Sequence, residues 1–428
     1  MRTIRTNTHF AWTLTPIIAI LLIALISCLM GAQAPIPGQP NVFGIYVDPA
    51  GSLQFREKDA SAQLAQLRAR STTQPSDANL HYLSLPKLFA EVRATLQAHK
   101  PLPTNLQYLH GLTQIRYLFL YPNENDLVIA GPAEPFSPPT TLQPLGKLSA
   151  RPLLHLDDLV TALRIAHSQN PPQPFGCSID PPDHSVQTGQ EILKQYANRP
   201  RNELADALAL ALGPQQIRFF GTPPDSRTAF VCAAADYKLK RLSIGLDPPP
   251  LPGLGNSIDN SRPAGNAFWF ETLYQPLLVS PDSTAYAIRG PRLQLKTGHV
   301  PFDEKGATPK AQAYAKLFSA KLPLIAAATP IYADLQNIAD LSLLANLIRQ
   351  DNLAQRANLD LTWLLDDSLY HTQSIPIPRS TDTLVNYTNG SLAAGGVSLS
   401  VAPYLSPSSR QIDTTNTLTP LKQSRPKP

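Results

Sequence analysis

Residues 175–184 read FGCSIDPPDH. Cys177, with Asp180 three positions on and His184 four beyond that, has the residue types of a thiol nucleophile. Such a thiol needs a base to take its proton and a local field that lowers its pKa. The plainer reading is that Cys177 fills a short strand as a small apolar residue. Asp180 and Asp183 then flank the double proline that stops the strand, and His184 opens the next helix. A second group, His155, Asp157 and Asp158, sets an imidazole and two carboxylates at a helix entry, donors that suit a metal ion. Against it stands a helix start capped by an aspartate that complements the dipole.

Phe268, Trp269 and Phe270, with Tyr274, offer a glycan or peptide platform, or the core of a strand. The run Asp236-Tyr237-Lys238-Leu239-Lys240-Arg241 suits an anionic ligand or lipid headgroup, or the solvated face of a helix. No C-x-x-C pair and no Gly-x-Ser-x-Gly elbow occurs, and the nine histidines are scattered singly. In each case the structural reading is favoured, so the sequence assigns no catalytic residue, no metal and no cofactor. Cys177 is the residue to test first.

The elements that would position these groups follow from periodicity and turn chemistry. Residues 42–57 alternate around Asp48-Pro49-Ala50-Gly51, a hairpin, and a helix is expected over 59–70. Ser84 with Pro86 opens a helix to about His99. A second hairpin runs over 113–121 and 126–131, and 132–144 is too proline-rich for a helix. A helix begins at Asp157–Asp158, FGCSI is a strand, and helices over 184–197 and 200–212 lead to a strand at 215–220. Residues 228–246 read as a strand running into a helix, or as two strands, and 266–297 as a β-meander. From Pro330 an apolar stripe, Ile331 to Leu347, marks a long helix that is core or a partner-helix face.

Proline, 44 of 428 residues, is twice its usual share of about 5%, and charged residues are only 16%. Short elements joined by stiff connections follow from that balance. Residues 1–34 carry a charge of +2 and 405–428 carry +3, so of the net +5 nothing remains for 35–404. A neutral body without a basic, aromatic-interleaved face excludes nucleic acid as the expected partner. A basic, acid-free lead precedes sixteen uncharged residues, 17–32, and then Ala32-Gln33-Ala34. That is the plan of an export signal. It permits cleavage after Ala34, lipidation at Cys28 or retention of residues 10–32 as a membrane anchor. All three place the protein outside the cytoplasm, in the periplasm, at the cell surface or secreted. There, Cys177 and Cys232 are permitted, not required, to pair.

The expected fold is α+β, with hairpins, meander and helices in two lobes. Residues 1–34 are the signal or anchor, 35–41 a linker, 42–246 an N-terminal lobe and 247–265 a Pro/Gly-rich link. Residues 266–370 form a C-terminal lobe, and 371–428 a low-complexity tail disordered from about 405. With no complete catalytic set, the expected role is a non-catalytic module binding another protein or an envelope component. The rivals are a hydrolase or transferase built on Cys177 with a nearby histidine, and a glycan or peptide binder built on Trp269.

Several phrases in this order and spacing, among them GIYVDPAGSL (44–53), RPLLHLDDLVTALR (151–164), FGCSIDPP (175–182) and ADYKLKRLSIGLD (235–247), resemble one family. It is an exported family of planctomycete bacteria, domain of unknown function 1598. The resemblance covers most of 42–370 and implies no activity, cofactor or catalytic residue. It implies a residue other than histidine at position 155 and an aliphatic one at 232. That argues against the metal set and against a general Cys177–Cys232 disulfide.

Overall fold

The computed structural model describes residues 45–47, 53–55, 80–136, 144–169, 171–258, 266–298, 306–386 and 391–426. Strands β1 (Ile45–Val47) and β2 (Leu53–Phe55) pair antiparallel as the first hairpin. The expected export segment, Cys28 and the helix expected at 59–70 lie outside the described residues. After β3 (Leu80–Ser84) the Ser84 hydroxyl accepts from Lys87 N at 3.3 Å, which starts α1 (Leu85–Gln97) where the Ser-x-Pro pattern places it. Strands β4 (Tyr117–Tyr121) and β5 (Asp126–Pro132) form the second hairpin.

Helix α2 (Leu156–Ser168) leads to β6 (Phe175–Asp180), the strand expected from FGCSI. Helices α3 (Asp183–Gln195) and α4 (Arg201–Leu212), strand β7 (Gln215–Phe220) and helix α5 (Arg227–Ser243) follow. Then come β8 (Asn266–Leu273), β9 (Leu277–Val279), β10 (Ala285–Ala287) and β11 (Arg292–Gly298). Further along come, among others, α6 (Pro309–Ala320), α7 (Pro330–Gln350), β12 (Ser380–Thr381), β13 (Val385–Asn386), β14 (Ser391–Leu399), β15 (Arg410–Ile412) and α8 (Leu418–Gln423).

The fold is α+β, built on two mixed sheets. One runs β15-β9-β10-β4-β5-β3, the other β11-β8-β14-β6-β7-β12 with β13 on β14. Helices α5 and α6 pack on the second sheet, α7 lies against α2 and α5, and the apolar residues of all of them join in one continuous core. Nineteen of the 21 residues of α7 are buried, so its stripe is core on every side.

Four expectations are corrected. The link at 247–265 does not divide two lobes: β6 and β7 share a sheet with β8 and β11, and Asn41–Pro428 is one unit. The region 266–297 is not one meander, because β8 pairs β11 in one sheet while β9 and β10 belong to the other. Residues 228–246 contain neither one strand nor two. Ser226 caps Ala229 N at 3.1 Å and starts a single helix, buried on nearly all sides with Asp236 and Lys240 included, so its apolar residues are not confined to one face. The tail is folded through residue 426. Its β14 fills the centre of a sheet, and Arg410 grips Asp351 with two bonds of 2.8 Å.

Candidate functional site

Cys177 faces the core from β6, only 1% exposed, paired across to Val397 on one side and Phe219 on the other. Burial pushes its thiol well above the usual range, and the nearby Asp236 carboxylate adds to the effect. Cys232, on α5, is also buried and raised by desolvation, and both cysteines are free. Asp180 closes β6 half-buried, and His184 falls in the first turn of α3, its side chain outside the described residues. A thiol so placed lacks both exposure and a stabilised thiolate. We expect both cysteines to stay unmodified by a thiol reagent at pH 8 until denaturant is added; rapid labelling of Cys177 in the folded chain would contradict this burial.

Asp158 is not a ligand in waiting. It takes Arg227 Nη1 and, at 3.2 Å, the Thr228 hydroxyl, while Arg227 Nη2 reaches Asp334 at 2.5 Å. Asp157 points the other way, to the Tyr370 hydroxyl at 2.8 Å and Gln373 N at 2.9 Å. His155 packs edge-on to Tyr108, and burial first, then Arg227, lowers its pKa well below 6.5. An imidazole beside a guanidinium is poorly placed to take a second cation. Among the described residues no group of three or more His, Cys, Asp or Glu forms a metal cluster.

The charge run on α5 is not a solvated face. Asp236 and Lys240 are fully buried, and Lys240 Nζ donates to Asp236 at 2.7 Å and to the carbonyl of Ile179 at 2.6 Å. Desolvation still raises Asp236 to about 6 against the pull of Lys240. The aromatic run is split by strand alternation. Phe268 and Phe270 enter the core against Tyr314, Phe318 and Tyr332. Trp269 turns to the other face, where its Nε1 bonds Glu271 at 2.7 Å, and Tyr274 is buried on Asp340.

Among the described residues, a pocket lies elsewhere. It has a volume of about 480 Å³ and is lined by Arg116, Arg289 and Arg292 together with Gln114, Tyr117, Leu278, Ala287, Ile288, Thr417, Leu418 and Leu421. Its lining holds three guanidinium groups and no carboxylate. The chain passes there from one sheet to the other, between β10 and β11. Gly290, at φ +108°, makes the turn: a Cβ would meet Gln275 N at 2.7 Å. Arg292 anchors this corner, bonding Asp340 at 3.2 Å through Nε and the carbonyls of Gly290, Ile115 and Ile288 through its other nitrogens. Arg289 reaches Gln411 at 2.9 Å, and its buried Nε has no hydrogen-bond partner.

Arg151 stands close behind. Burial and then Arg292 push its guanidinium down to about 10, still protonated at neutral pH, and its Nε is also buried without a partner. Guanidinium groups thus gather around a cavity of mixed polar and apolar lining, with the Asp340 carboxylate behind it on Arg292. Reading the sequence missed this site because Arg116 and Arg289 are far apart in the chain. The one local signal was Arg289-Gly-Pro-Arg292, two arginines bracketing a turn.

No curated protein and no solved structure matches the chain. The family comparison is local and falls on the strand and helices that carry Cys177, Asp236 and Lys240. Residues 177–256 match the model of a family described as Protein of unknown function (DUF1598).

Proposed function

We propose that the protein is a non-catalytic binding module that receives an anionic group, a carboxylate or phosphate with an apolar body, borne by another protein or an envelope component. One observation carries this reading: three arginines line a single pocket with no acidic residue among them. Guanidinium groups match carboxylate and phosphate oxygens in pairs. Leu278, Ile288, Leu418 and Leu421 supply the apolar contact. The export plan of the N-terminus supports an envelope setting, and the buried, raised Cys177 weighs against a thiol enzyme.

The test is calorimetric titration of the full chain with octyl phosphate, octanoate and inorganic phosphate at low and high salt. Each charge-assisted bond is worth about 1.5–3 kcal/mol, so Arg116→Gln or Arg289→Gln is expected to weaken binding by about 10–100-fold. The affinity should fall as salt rises. Failure of all three anions to bind below about 1 mM would sink the reading, and so would binding that ignores both substitutions.

A further inference from the structure

The six-stranded sheet has a second face, turned away from the main core. Tyr82, Tyr117, Phe119 and Tyr121 line it, with Phe119 stacked on Tyr82 at 6.0 Å and on Tyr117 at 5.8 Å. Val128, Ala130, Ala285 and Ala287 complete an apolar patch. The C-terminal segment covers it. Asp413 fixes the entry, its carboxylate accepting from Leu418 N at 2.7 Å and from the hydroxyls of Thr415 and Thr417. Helix α8 then lays a buried Leu418 and a half-buried Leu421 on the patch.

The remaining grip is polar and cationic. The hydroxyls of Tyr82 and Tyr121 donate to the carbonyls of Leu421 and Lys422 at 2.7 and 2.6 Å. Lys422 and Arg425 both lie over the Tyr121 ring, at 5.2 and 4.6 Å, and Arg425 pairs with Glu124 and Asp126. Aromatic faces edged by carboxylates read a cationic side chain by its charge and its stem together.

We propose that this face is a docking surface for a short basic segment with two leucines three residues apart, and that residues 414–426 are its exchangeable occupant. Only one leucine of the segment is fully buried. Its other holds are ring contacts, hydroxyl bonds and the two ion pairs of Arg425, of which the one to the exposed Glu124 is open to screening by salt. Thr417, Leu418 and Leu421 also wall the arginine pocket, so departure of the segment opens that cavity. The docking surface itself does not depend on the pocket's ligand.

The test uses the full chain carrying Lys422→Ala and Arg425→Ala. Amide exchange at residues 418–424 is expected to rise at least about tenfold, from the lost ring and ion-pair contacts, while Leu118 and Ile129 keep their wild-type rates. A synthetic peptide of residues 414–428, TTNTLTPLKQSRPKP, is expected to bind this variant in a salt-dependent manner, at least about tenfold more tightly than it binds the wild type. Adding Tyr121→Leu should abolish that binding. The proposal is overturned if exchange at 418–424 rises only together with Leu118 and Ile129, or if the peptide binds neither protein. No octyl phosphate, octanoate or phosphate enters the experiment, so its failure is separable from failure of the pocket reading.

Discussion

Replacing Arg227 by alanine is expected to lower the unfolding free energy by about 3–5 kcal/mol, the cost of leaving buried charge unpaired. The guanidinium is only 6% exposed and bridges Asp158 on α2 to Asp334 on α7, carboxylates that are 2% and 1% exposed. Burial already raises Asp158 to about 6 against the pull of Arg227. Without the cation, two carboxylates face each other in a dry interior, and at least one must take a proton near neutral pH. The instructive comparison replaces all three, Arg227→Met with Asp158→Leu and Asp334→Leu. Apolar residues of similar volume need no compensation, so that variant is expected within about 2 kcal/mol of the wild type. Urea unfolding followed by tryptophan fluorescence measures both. A loss below about 1 kcal/mol for Arg227→Ala would show the triad to be hydrated rather than dry.

The second large effect belongs to Gly176→Ala, expected to cost about 3 kcal/mol or more. At φ +152° the residue occupies backbone space that glycine enters freely, and a Cβ would sit 1.8 Å from the carbonyl oxygen of Val397. Neither strand can yield without breaking the ladder between β6 and β14. Gly213, at φ +62° with nothing within 4 Å of its Cβ position, is the control. Alanine there is expected to cost only the backbone penalty of a glycine-favouring conformation, φ +62° with ψ −166°, about 1–3 kcal/mol. Equal costs at the two sites in thermal or denaturant unfolding would refute the close approach of β6 and β14.

Local signals proved readable where one side chain decides the structure. Ser84 and Pro86 mark the start of α1, the turn residues 122–126 mark the β4–β5 hairpin, and Pro181-Pro182 ends β6. What stayed hidden was set at long range. Helix α5 lies between a sheet and two helices, so its sequence lacks the polar face that would announce a helix. The alternation of β8 to β11 is the same whether neighbouring strands pair or part, so their division between two sheets is invisible. The glycines and small residues of β14 looked like part of a low-complexity tail. They are there because Gly395 and Gly396 let three strands approach closely; a Cβ on Gly395 would sit 1.6 Å from Phe268 O. The arginine pocket collects residues from three separate stretches, which no motif records.

The place of β14, between β6 and β8, has a consequence in time. Strand β6 ends at Asp180 and its partner begins at Ser391. At synthesis rates of about 5–20 residues per second, that interval of about 210 residues lasts roughly 10–40 s. Throughout it, β6 presents an unpaired edge to the cell, beside β7 and without the strand that closes the sheet. Any truncated product ending before β14 keeps that edge open permanently, so the glycine-rich stretch near the C-terminus decides whether the N-terminal half becomes a sheet interior or a sticky margin.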